Sequence, residues 1–244
     1  MRVGVYVDGY NLYYGARSVC GRGTPGWRWL DTRALAKKVI EMQGSWSDAV
    51  VERVVYCTAR VDATISPSAH ADQDVYLQAI RKSGSVDRVE FGNYVARAKK
   101  GLLATTDPSS AKPQVFRAQW PVRVRDLQGA PVEGAEFMVQ YLHLEEKGSD
   151  VNVASHLLID VLTGAVDAAM VISNDSDLAF PLKEARKHVP VATVSPRQSQ
   201  TAGALMGEQS DGCGGHWWWK INGKTFKSCQ LPDPVGGQSK PDEW

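Results

Sequence analysis

Short runs of β-branched and aromatic residues alternate with stretches of helical periodicity, and that rhythm limits the possible folds more than any other feature of the chain. Arg2-Val-Gly-Val-Tyr-Val7 predicts a buried strand that stops at Asp8-Gly9-Tyr10-Asn11. Asp31 is placed to cap a helix running to about Met42, with Leu35, Val39 and Ile40 on its inner side. Val50 to Ala59 predicts a second strand, about Ala71 to Lys82 a helix closed by Gly84, and Val86 to Phe91 a third strand. Such alternation implies an α/β fold, a parallel sheet flanked by helices. The rhythm breaks between Gly92 and Gln140, where Phe116 to Arg125 and Glu136 to Leu144 predict the strands of an inserted β-hairpin. It then resumes with a helix from Asp150 to Leu162, a strand from Ala168 to Ser173, a helix from about Asp177 to Lys187 and a strand from Pro190 to Val194. The expected organisation is a domain over residues 1–195 with an insertion at about 92–140. A C-terminal extension over 196–244 packs on that domain through Trp217-Trp218-Trp219 and ends in a Gly-, Pro- and Ser-rich tail expected to be mobile.

Bulk properties exclude little. At 244 residues the chain can bury a proper core, and a formal charge of +1 neither demands nor excludes a polyanionic partner. No apolar run reaches the length of a membrane span, and the first strand is not preceded by a charged leader and apolar core. A cytoplasmic protein without a membrane partner is expected. Cys20, Cys57, Cys213 and Cys229 form no CxxC pair or zinc-type spacing, so reduced thiols are expected.

The chemistry-bearing feature is acidic. In an open α/β sheet, ligands bind outside the carboxyl ends of the strands. The first strand runs into Asp8, and Ala168 to Ser173 runs into Asn174-Asp175-Ser176-Asp177, which puts both groups on one rim. Asp150 joins them by helical geometry. With Ala154, Leu157, Leu158, Val161 and Leu162 as the apolar face, Asp150 points within that face at the helix start, whereas His156 and Asp160 point away. Clustered carboxylates repel one another unless a cation occupies the group, and hard ions such as Mg²⁺ or Mn²⁺ prefer oxygen ligands. Such a site can orient water and polarise a phosphoryl oxygen, which fits phosphodiester hydrolysis. Taken singly, each acid has a plainer reading as a turn residue or helix cap, Asp177 above all.

Three motifs, in order, resemble those of NYN domains, a branch of the PIN-like nuclease superfamily. They are Val5-Tyr-Val-Asp-Gly-Tyr-Asn-Leu12, Glu146-Lys-Gly-Ser-Asp-Val151 and Val171-Ile-Ser-Asn-Asp-Ser-Asp-Leu178. The resemblance spans about residues 1–195 and implies a Rossmann-like PIN fold with Mg²⁺- or Mn²⁺-dependent ribonuclease activity. It implies that Asp8, Asp150, Asp175 and Asp177 are catalytic metal ligands and that Asn11 orients Asp8 or substrate. One departure is His156, where many members carry an acid, with Asp160 or water as the substitute. The alternatives are a non-catalytic RNA-binding regulatory module of the same fold and a nuclease acting on DNA.

The basic insertion is the expected arm for an RNA substrate, tRNA or mRNA. Arg117, Arg123 and Arg125 alternate as on one strand face, Arg97, Lys99 and Lys100 precede them, and Tyr94 and Trp120 could stack on bases. A solvated edge strand guarded by charge explains the same pattern. Lys147 and Lys183 are assigned to phosphate by proximity in sequence. Gly21-Arg-Gly-Thr-Pro-Gly26 fits GxGxxG but lacks the strand and helix a dinucleotide loop requires, so it predicts a loop near the rim. Trp27, Trp29 and the tryptophan triplet are read as packing, with a homodimer contact as one use of the triplet.

Overall fold

A computed structural model describes residues 1–107, 109, 110, 112–119 and 121–244. The chain opens with β1 (Arg2–Asp8), α1 (Gly9–Cys20), α2 (Thr32–Gln43), β2 (Val50–Ala59) and α3 (Pro67–Lys82). Next come β3 (Arg88–Leu102), β4 (Ala104–Thr106), β5 (Pro113–Val115), β6 (Val124–Arg125), β7 (Pro131–Val132) and β8 (Met138–Lys147). It closes with α4 (Ser149–Leu162), β9 (Ala168–Ile172), a 3-10 turn at Ser176–Leu178, α5 (Ala179–Ala185), β10 (Val191–Ser195), β11 (Trp217–Lys220) and α6 (Gly223–Ser228).

Seven strands form one sheet in the order β11-β10-β9-β1-β2-β3-β8, and the pairings from β11 through β3 are parallel. This is a mixed α/β fold with a mostly parallel central sheet. The order reverses at β1, with β2 and β3 on one side and β9 and β10 on the other, so the switch point of the sheet falls at Asp8. The period of two decides what each face buries. Val3, Val5 and Val7 of β1, with Met170 and Ile172 of β9, join a core holding Leu35, Val39, Leu77 and Ile80 from α2 and α3. Tyr6 joins Val171 and Cys57 in a second core with Val153 and Leu157 of α4 and Leu182 of α5.

Local sequence explains most helix ends. Asp31 caps α2 by accepting from the Ala34 N–H at 3.0 Å, and Gly44 closes it in the left-handed region at φ 78°. Pro67 starts α3 four residues earlier than periodicity suggested, because proline is tolerated where the N–H needs no partner. α1 had no helical signal in its Gly-, Tyr- and Asn-rich sequence. Its formation depends on the Asp8 cap, on burial of Leu12 and Ala16, and on Gly15. Behind β9 the expected long helix is a 3-10 turn followed by the short α5.

Contacts divide the chain into one unit of residues 1–94 with 146–244 and another of 95–145. Two long hairpin strands were expected in the insertion. Instead, β4 pairs antiparallel with β5, β6 with β7, and Arg117 forms an isolated bridge with Glu136. The turn residues around Gly129 and Gly134, both at positive φ, break the longer strands. β3 in turn continues well beyond Phe91.

The C-terminal residues lie against the core. The Leu231 N–H donates to the Trp29 carbonyl at 2.8 Å, the Trp29 indole donates to the Pro232 carbonyl at 3.0 Å, and Trp244 packs 5.9 Å from Tyr76. Trp217 begins the edge strand β11 and is buried against Trp46 at 4.9 Å. Trp27 and Trp29 are buried as well. No helix among the described residues is long and apolar enough to cross a membrane.

Gly15 sets how closely α1 approaches the chain after β10. A Cβ there would stand 2.8 Å from the Pro196 carbonyl oxygen. Gly15→Ala should therefore destabilise the protein by about 1–3 kcal/mol. A urea midpoint equal to wild type would show that this contact does not limit the packing.

Candidate active site

Asp8 is the most constrained acid on the rim, only 2% exposed. One carboxylate oxygen accepts from the Asn11 N–H at 2.9 Å and the other from the Ser173 hydroxyl at 2.8 Å. The Ser173 oxygen also accepts from the Asp175 N–H at 3.0 Å. Asn11 is buried, and its side-chain oxygen accepts from the Asn174 N–H at 3.1 Å, which ties the first and third motifs together. Burial pushes Asp8 up to about 6, opposed by its hydrogen bonds and assisted by the charges of Asp175 and Glu146.

Asp150 stands in the first turn of α4 and is pushed up to about 7, first by desolvation and then by Asp8, Asp175, Glu146 and Asp177. Those mutual effects place the four expected aspartates within electrostatic reach of one another. Two sequence-based roles change. The cap of the turn after β9 is Asp175, which accepts from the Asp177 N–H at 3.0 Å, so the capping role assigned to Asp177 belongs to its neighbour. Asp160 does not point away from the core: it is buried and accepts from Tyr6 at 2.9 Å and Arg53 at 2.8 Å. It is thereby committed to the second core and is no substitute ligand. Leu162, expected inside, is exposed, because the inner face of α4 runs through Val153, Leu157, Asp160 and Val161. His156 lies 3.1 Å from the Glu90 carboxylate.

Glu146, quoted in the second motif but not assigned a role, is the fifth acid. Its carboxylate accepts from the Ser149 N–H at 3.1 Å and the Ser149 hydroxyl at 2.7 Å. Its position at the end of a strand, four residues before Asp150, was the available signal. Among the described residues no three His, Cys, Asp or Glu side chains are arranged to hold a metal ion together.

The larger feature was not read from the sequence at all. A cavity of about 650 Å³ is lined by Gly9, the neighbour of Asp8, and walled by Tyr10, Tyr14, Tyr56, Tyr76, Trp27 and Trp244. Arg17, Arg22 and Arg28 also line it, as do Asp72 and Glu243. Tyr10 and Tyr14 pack with centroids 4.5 Å apart, their rings tilted by 46°. The Asp8 charge acts on buried Tyr56, and the Glu146 charge acts on Tyr10 and Tyr94. Burial is the main force raising all three phenols, and it carries Tyr94 to about 12. The loop from Gly21 to Gly26 is part of the approach to this cavity through Arg22.

The basic residues assigned to RNA belong to several segments. Arg117 pairs with Glu136 at 3.2 Å and Arg125 donates to the Gly129 carbonyl at 2.8 Å. Arg123 precedes β6, so the three arginines do not share one strand face. Lys147 ends β8 and Lys183 lies in the last turn of α5. Trp120 lies outside the described residues.

The raised Asp150 carboxyl has a stability consequence. Its folded pKa lies above the unfolded value, so its effect on stability is absent below about pH 4 and grows as pH rises through 7, where the fold must hold a disfavoured charge. In chelator-treated buffer, Asp150→Asn should be more stable than wild type at pH 8 by about 1–2 kcal/mol, discounted for partial exposure, and equal to it near pH 4. Urea titrations at the two pH values test this; a pH-independent difference defeats it.

No family model matches the chain. A solved structure of a protein of unknown function from Vibrio parahaemolyticus RIMD 2210633 aligns over 91% of this chain and 93% of that one, at 14% identity and a TM-score of 0.42, which does not establish a shared fold. The chain is 30% identical over 264 aligned positions to 6-hydroxy-3-succinoylpyridine 3-monooxygenase HspA of Pseudomonas putida (strain DSM 28022 / S16), covering 100% of this chain and 75% of that protein. That relative is named a monooxygenase, which overturns the reading of this chain as a divalent-metal-dependent nuclease, hydrolase or ribonuclease. The physical reason is that clustered carboxylates serve proton transfer as readily as phosphodiester hydrolysis, and the acids by themselves do not choose. With that reading goes the reason for assigning RNA to Arg117, Arg123, Arg125, Lys147 and Lys183. At this identity and coverage, the chain belongs to the family of the monooxygenase HspA.

Proposed function

We propose that this chain is a monooxygenase-type oxidoreductase acting on a small, planar, electron-rich aromatic compound bound in the tyrosine- and tryptophan-walled cavity. The cavity carries the reading. Its volume suits a substituted single ring, and its flat, polarisable walls suit stacking. The relative's name describes a hydroxypyridine ring bearing a succinoyl chain, which is such a compound. The expected PIN-like core then acts as a scaffold whose rim acids handle protons. Its support is the convergence of Asp8, Asp150 and Asp175 at one end of the sheet.

In a monooxygenation one atom of O₂ enters the substrate and the other leaves as water. The two electrons come from an external donor, such as a reduced nicotinamide. A redox group, when bound, supplies oxygen activation. This chain's residues supply the rest. The aromatic walls hold the ring and displace water from it. Asp150, raised to about 7, exchanges a proton near neutrality at the rim of the sheet. Asp8 is spent on its two hydrogen bonds and positions α1.

The test is incubation with 6-hydroxy-3-succinoylpyridine and related hydroxypyridines under ¹⁸O₂, with reduced nicotinamide and with or without added flavin. One labelled oxygen per product is expected. Asp150→Asn should lower kcat/KM by about 10²-fold, and the wild-type rate should rise with pH through about 7. Absence of oxygen-dependent turnover across the panel would reject the assignment.

A further inference from the structure

The cavity has two chemically different ends, and α1 runs between them. Asp8 caps the helix at its N-terminus, and Gly9 and Tyr10 of its first turn line the cavity beside the acids. Two turns further on, Arg17 lines the same cavity. From Gly9 to Arg17 the helix advances about 12 Å.

The arginine end has unspent charge. Among the described residues, no carboxylate forms an ion pair with Arg17, Arg22 or Arg28. Arg28 is occupied otherwise: it lies over the Trp27 ring at 5.0 Å and donates to the carbonyls of Glu243 (2.7 Å) and Arg22. Arg17 rests on the face of Tyr14, 5.6 Å from the ring centroid, which steadies the guanidinium without satisfying its donors. A planar fork of N–H donors on an aromatic wall is suited to a carboxylate.

We propose that Arg17 binds a carboxylate at the end of the substrate's side chain and that α1 measures its distance from the ring, which lies at the Tyr10 end beside the rim acids. Arg17 is thereby assigned the chain-end carboxylate of the compound class in the relative's name, a planar aromatic with a short acyl spacer. A hydroxyl across the ring from a succinoyl chain stands roughly 10 Å from the terminal carboxylate by ordinary bond lengths, which matches the helix. This assignment rests on the cavity being the substrate site.

The experiment is a calorimetric titration at low ionic strength of three probes: 6-hydroxy-3-succinoylpyridine, the primary amide of its chain end, and the shortened acid 6-hydroxynicotinate. Wild type should bind the succinoyl acid at least about tenfold more tightly than its amide. Arg17→Gln should bring the acid to the amide's affinity while leaving the amide unchanged, which also shows that the cavity is intact. The shortened acid should not gain from Arg17. Equal binding of acid and amide to wild type, equal weakening of both by Arg17→Gln, or an undiminished preference in the variant would each overturn the Arg17 assignment alone. If neither the succinoyl acid nor its amide binds wild type, the cavity reading fails and the assignment fails with it.

Discussion

The arrangement depends on one buried carboxylate. Asp8 ends the central strand at the reversal of strand order, and both of its oxygens are engaged, one by the start of α1 and one by the residue that follows β9. A charge in that position is costly unless hydrogen-bonded. The bonds that satisfy it also fix the geometry, because Ser173 passes its oxygen on to the Asp175 N–H. Asn11 reaches Asn174, whose side chain accepts from the Ala202 N–H at 2.9 Å. Three segments far apart in sequence are thereby held in register at the rim.

The cavity follows from the same constraint. Once Asp8 starts α1, its tyrosines are laid along the space beside β2 and α3, where Tyr56 and Tyr76 form the opposite wall. The segment carrying Trp27 and Arg28 and the C-terminal segment carrying Trp244 close round them. None of these pieces suggests a binding site by itself. Together they make an aromatic space that Gly9, the neighbour of Asp8, and three arginines also line.

The acids show why function is a property of the site and not of a motif. Asp8, Asp150 and Asp175 assemble at one rim, yet a carboxylate cluster suits metal binding, proton transfer or simple capping. What distinguishes these uses is the neighbourhood. Here the neighbours are phenols and indoles lining a cavity, and the related protein is named as a monooxygenase.

Local sequence was enough for features set by local physics. The period-two strands β1, β2 and β9, the Asp31 cap of α2 and the α/β alternation were all legible, because each depends on neighbours within a few residues. It was insufficient where distant contacts override propensity. α1 forms from a sequence of glycines and tyrosines because its capping carboxylate and its partners are supplied by the fold. Asp160 turns inward because Tyr6 and Arg53 wait for it on other strands. The rim acids could be located from strand ends and a helix start, but the cavity required Tyr10, Trp27, Tyr76 and Trp244 to meet across more than two hundred residues of chain. Sequence determined where charge would gather, since strand ends and helix starts are local; tertiary structure alone decided what stands beside that charge, since a cavity exists only between elements that folding brings together.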